Sequence, residues 1–100
     1  MAIIDISVVP VGTQSPSVSQ YVAGALKILK NEPGIKYELT PMNTIIEGDL
    51  EKLMALAQRM HESAFNAGVE RVVTTIRIDD RHDKPLTMNG KIESVKKKLG

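Results

Sequence analysis

One hundred residues carry 13 Lys and Arg against 12 Asp and Glu, a formal net charge of +1, which supplies no long-range field for nucleic acid or an anionic membrane. At 42% hydrophobic and 25% charged, the composition is that of one folded domain spanning residues 1–100, not of a disordered tail. The lack of cysteine excludes disulfides, thiolate nucleophiles and thiolate-held metals, and no run of about 18 apolar residues is present to span a bilayer.

Residues 2–11, AIIDISVVPV, place Ile4, Ile6 and Val8 in alternation with Asp5, Ser7 and Val9, the period-two pattern of a strand with one apolar face. Gly12 to Pro16 reads as a loop. Ser17 stands three residues before Gln20, the spacing of a capping box, and predicts a helix carrying Val18, Val22, Ala25 and Leu29 on one stripe. Pro33 and Gly34 end it. Residues 36–40 form a second predicted strand, Pro41-Met42-Asn43 a tight connection, and residues 44–47 a third, short strand. Asp49 is placed to cap a second helix, whose stripe is Leu50, Leu53, Ala57, Met60 and Ala64, with Gly68 as its stop. Residues 71–79 form a fourth strand. A charged loop then leads to a short terminal helix, for which Asn89 is the predicted cap.

The order β-α-β-β-α-β, built from two split β-α-β units with right-handed crossovers, predicts an α+β ferredoxin-like sandwich with an added C-terminal helix. The sheet order expected is 4-1-3-2, antiparallel, with both main helices on one face. That leaves Ile3, Val9, Ile45 and Val73 on a face without a helix, and predicts self-association of the sheets into a homodimer or homotetramer. The N-terminal Met1-Ala2-Ile3-Ile4-Asp5 lacks a basic region and meets an acid at once, which reads against a signal peptide. Together with the absence of cysteine, it favours a cytoplasmic setting.

Catalytic chemistry is poorly represented. His61 falls on the second helix as an ordinary half-buried residue. His82 sits in Asp79-Asp80-Arg81-His82-Asp83, where Arg81 and Lys84 compete for the carboxylates and no zinc-ligand spacing occurs. No nucleophile elbow or glycine-rich phosphate loop is present, so no enzyme, metal or cofactor is predicted. RNA-binding domains of this fold stack bases on aromatics of the central strands, and strands 1 and 3 contain none. Topology suggests a different site. The end of strand 1, the start of the first helix and the strand 2–3 hairpin converge, bringing Gly12, Ser17, Tyr21, Asn43 and Thr44 together as a pocket for a small, flat, neutral heterocycle. The plainer alternative is a capped helix beside a tight turn.

The segments Val8-Val9-Pro10-Val11-Gly12, Tyr37 through Gly48, Ile76 through Arg81, and Lys91 through Val95 resemble the thiamine-binding, YkoF-like family along nearly the whole chain. The chain departs from the family at Asn43, where a glycine usually precedes the threonine. The resemblance implies a ferredoxin-like fold, association through the sheets, and non-catalytic binding of thiamine or its hydroxymethylpyrimidine portion. It also raises Glu47 as an acid near the cationic thiazolium. The competing reading is a regulatory module of the amino-acid-sensing kind.

Overall fold

The computed structural model describes residues 1–100. The alternation of residues 2–11 is realised as β1 (Ala2–Val11), followed by α1 (Ser19–Leu29), β2 (Lys36–Leu39), β3 (Thr44–Gly48), α2 (Leu50–Asn66), β4 (Arg71–Asp80) and α3 (Met88–Leu99). All neighbouring strands are antiparallel, in the order β2-β3-β1-β4, which is the expected ferredoxin-like order read from the other edge. Register sets the two faces. Ile4 lies between Ile46 and Ile78, and Ile6 between Thr44 and Ile76, all on the helix side. Ile4, Ile6 and Ile46 meet Leu29 of α1 and Leu53, Leu56 and Met60 of α2, all almost fully buried. Each such side chain contributes about 1.5–3 kcal/mol by leaving water.

The second helix ends as expected. Gly68 takes φ +92°, its N–H donates to the Phe65 carbonyl at 2.9 Å, and the Val69 N–H donates to the Ala64 carbonyl at 3.3 Å. These two bonds satisfy carbonyls that the helix leaves free, and the left-handed residue between them favours glycine.

The other ends depart from expectation. Ser17 does not cap α1: Val18 occupies the N-cap, with no side-chain cap bond. The Ser17 N–H donates instead to the Ser15 hydroxyl at 3.2 Å, a local turn that competes with a capping box. Asp49 does hold the N-cap of α2, but its carboxylate makes no cap bond. Asn89 lies already inside α3. The cap is Thr87, extended at φ −134°, whose hydroxyl accepts the Gly90 N–H at 2.9 Å.

The face opposite α1 and α2 is not wholly bare. Ile3 is flanked in register by Glu47 and Asp79. The Glu47 carboxylate accepts the Met88 N–H at 2.8 Å, and Asp79 accepts from Lys91. The first turn of α3 therefore roofs Ile3, which is 8% exposed. Val9 and Val73 stay exposed, as expected.

Candidate functional site

The first turn of α1 stands between two cavities. Without a side-chain cap, the leading N–H groups of this turn are free of the partner that a serine or aspartate cap would bring. On one side lies an open cleft of about 640 Å³ between α1 and the β2–β3 hairpin. Its walls are largely aliphatic, from Ile6 and Val8 on β1, Val22 and Leu26 on α1, and Leu39 on β2. On the other side lies a more polar cavity of about 750 Å³, enclosed by the β1–α1 loop and the turn from α2 into β4.

The hairpin rim of the cleft is fixed by one hydroxyl. The Thr40 hydroxyl accepts the Asn43 N–H at 3.0 Å and lies 2.7 Å from Asn43 Oδ1, while the Thr40 N–H donates to the Asn43 carbonyl at 2.9 Å. Pro41 and Met42 form the tip, with Met42 84% exposed. Thr44 follows on the floor, 5% exposed. No protein group bonds its hydroxyl, yet no fully buried side-chain polar atom in the chain lacks a partner. The Thr44 hydroxyl is therefore not sealed in the core, and Thr44 lines the cleft.

The sequence-derived site residues separate into three places. Asn43 and Thr44 line the apolar cleft. Gly12, at φ +80°, lines the polar cavity with Ser17 and Tyr21. Glu47 lines neither: it lies at the far end of β3, where its buried carboxylate is taken up by the Met88 N–H. Two contributions were not foreseen. The cleft takes a wall from α1 itself, visible in the sequence only as a stripe assigned to the core. The polar cavity takes Glu70 and Arg71 from the α2–β4 turn. The signal for those was topological, because the chain leaves α2 at the sheet end where it enters α1.

The charged groups from Arg77 to Asp83 are paired. Arg77 lies opposite Asp5 in register and its Nε donates to Asp5 Oδ2 at 2.8 Å. His82 lies 3.4 Å from Asp80. Arg81 Nε donates to Asp83 Oδ1 at 2.6 Å, a hydrogen bond that holds the Asp83 carboxyl down at about 2. His61 Nδ1 lies 2.6 Å from the Thr74 hydroxyl, and its ring meets Phe65 edge-on at 5.4 Å. No three His, Asp or Glu side chains are grouped to hold a metal ion, and no helix is long and apolar enough to cross a membrane.

The family model described as thiamine-binding protein matches residues 4–96. The UPF0045 protein YqgV of Bacillus subtilis is 56% identical, over 99% of this chain and 98% of its own length. A UPF0045 protein of Methanothermobacter thermautotrophicus is 43% identical, over 95% and 96%. Among solved structures, the hypothetical protein MJ1052 of Methanocaldococcus jannaschii superposes with a TM-score of 0.87 at 33% identity, over 95% of both chains. The protein TM0486 of Thermotoga maritima, provisionally assigned to thiamine biosynthesis or salvage, shares the fold with a TM-score of 0.76 at 23% identity, over 94% of this chain and 97% of its own.

Proposed function

The chain belongs to the thiamine-binding protein family, and on that premise we propose that it binds thiamine, or the aminopyrimidine half of thiamine, in the cleft between α1 and the β2–β3 hairpin, without catalysing a reaction. The observation that carries this reading is the Thr44 hydroxyl, free of protein partners on the floor of an aliphatic cleft. An aminopyrimidine is flat, with ring nitrogens that accept and an amino group that donates. Aliphatic walls can hold its faces, while a hydroxyl and an amide read its edge. Thr44 and Asn43 are the groups proposed to do so. Gly12, Ser17 and Tyr21, beyond the first turn of α1, are proposed to meet the remainder of a ligand longer than one ring. Glu47 serves the fold in this reading.

No Lys or Arg lines the cleft, which suits an uncharged ring, while the polar cavity beyond it carries Glu70 and Arg71. The apolar patches left on the sheet support binding in a homodimer or homotetramer. The cysteine-free composition supports a reducing, cytoplasmic setting.

Calorimetry tests the site. Thr44→Val keeps the shape and removes the hydroxyl. Leaving a buried ligand group unpaired costs about 1–3 kcal/mol, roughly tenfold to a hundredfold in affinity. Equal affinities would remove Thr44 from the site. A thermal-shift screen tests the ligand, since thiamine at 100 times its Kd adds about 2.7 kcal/mol of stability. Stabilisation by an amino acid and not by thiamine would transfer the protein to the sensing class.

A further inference from the structure

A hydroxyl oxygen has one proton to give and two lone pairs to fill. At Thr40 both lone pairs are taken by the backbone, through the Asn43 N–H at 3.0 Å and the Met42 N–H at 3.3 Å. Only its proton is left to share with the Asn43 side chain. The Asn43 atom that faces it at 2.7 Å, an ordinary O–H···O length, must therefore be an acceptor, and Oδ1 is one. With the amide turned over, Nδ2 would press a third N–H onto an oxygen with no lone pair to spare. The Asn43 carbonyl, the other acceptor within reach at 3.0 Å, already takes the Thr40 N–H at 2.9 Å. The turn thus fixes the amide of Asn43 in one of its two orientations.

That orientation decides what Asn43 offers to the cleft. Oδ1 is spent on Thr40, and Nδ2 makes no hydrogen bond within the chain. No sealed side-chain polar atom lacks a partner, so Nδ2 is accessible, on a half-buried residue that lines the cleft. It carries two protons and no lone pair, and can meet only an acceptor. Thr44, next in the chain and on the same cleft, is less exacting, because a hydroxyl turns to donate or to accept. Asn43 is the fixed reader and Thr44 the adaptable one.

We propose that Thr40 is a positioning residue that locks Asn43 as a donor, so that the cleft selects a ring edge on which an unprotonated ring nitrogen stands beside an amino group, and rejects one on which a ring N–H stands beside a carbonyl. This rests on the reading that the pyrimidine of thiamine lies in this cleft, and names what the cleft discriminates against. In the 4-amino ring, N3 accepts from Asn43 Nδ2 and the amino group donates to the Thr44 hydroxyl. In a 4-oxo ring, N3 carries a proton. In the same pose Thr44 turns to serve the carbonyl, but two donors meet at Asn43 and that pair is lost. Polar groups left unpaired in a site are what make it reject an analogue of the same shape.

Calorimetry with two probes, thiamine and its 4-oxo analogue, reads this selectivity as a ratio of dissociation constants. The thiazolium is common to both probes and cancels. Wild type is expected to bind thiamine about tenfold to a hundredfold more tightly than the analogue. Asn43→Asp keeps an acceptor for the Thr40 hydroxyl and puts a second acceptor where the Nδ2 donor stood, so the preference is expected to invert. Thr40→Val frees the amide to turn, and the ratio is expected to fall toward one, while Thr40→Ser restores it. A weaker turn in Thr40→Val lowers stability or both affinities, but a merely structural role leaves the ratio where it was. Thiamine bound without preference over the analogue, or a preference that survives Asn43→Asp, would overturn the proposal and leave thiamine binding standing. A preference inverted by Asn43→Asp but unmoved by Thr40→Val would overturn the role of Thr40. Wild type that binds neither probe at millimolar concentration would overturn the proposed function itself, and this selectivity with it.

Discussion

Asp83 is exposed, yet its carboxyl is held at about 2, first by the hydrogen bond from Arg81 and then by the nearby positive charges of Arg81 and Lys84. A depressed value in the folded chain gives stability that is present above the ordinary carboxylate value of 3.8 and is lost as pH falls through about 2. Solvent screening leaves that gain small, so the check is the titration itself. By NMR the Asp83 carboxyl carbon should titrate near pH 2, and in Arg81→Gln near 3.8. A wild-type midpoint near 3.8 would mean the pair is open in solution. Single residues of this kind were the least legible part of the sequence. Ser17 has the composition and spacing of a cap, but the Ser15 hydroxyl two residues earlier captures its N–H. Thr87 and Asn89 are both good cap types, and the chain's extended conformation at residue 87 decides between them. The place of Asn43 and Thr44 at the cleft was legible because a tight turn and a strand start locate them. The bond of Glu47 to the start of α3 was not legible, because no pattern in β3 announces the docking of that helix.

At the scale of elements, alternation and apolar stripes made every strand and helix legible within two or three residues. What the patterns did not show is how α3 attaches. No residue of α3 is buried, and Ile92, Val95 and Leu99 remain exposed along it. Its hold on the body runs through its first turns, where Glu47 accepts the Met88 N–H and Asp79 accepts from Lys91. A carboxylate at this end also meets the positive pole of the helix, and Lys96, Lys97 and Lys98 complement the other pole. Glu47→Ala would leave the Met88 N–H unpaired and open the roof over Ile3. The expected loss is about 1–3 kcal/mol in urea unfolding, with faster amide exchange at the start of α3. Thiamine affinity should not change. Unaltered exchange at Met88 would show that α3 is held by other contacts.

For the whole molecule, the order of strands was legible because right-handed crossovers leave few ways to join two split units. The division of the candidate site into two cavities was not, since it depends on where the first turn of α1 projects. Only 17 of 100 residues are buried, and the radius of gyration of 14.9 Å exceeds the roughly 13 Å usual for this length. A core this small gains stability from association. Raising protein concentration a hundredfold should therefore lift Tm by several degrees in calorimetry, whereas a monomer would show no dependence. The ten unbroken pairs of β1 with β4 also govern how this chain can change its length. One residue inserted early in β1 would turn every later side chain over, sending Ile6 and Val8 to solvent and Ser7 and Val9 into the core. The loop from Gly12 to Val18 and the hairpin tip at Pro41 and Met42 have no such ladder to preserve. Insertions and deletions are tolerable there and not in the sheet, so the segments that border both cavities are also those in which descendants of this chain can diverge, and with them the shape of the cavities.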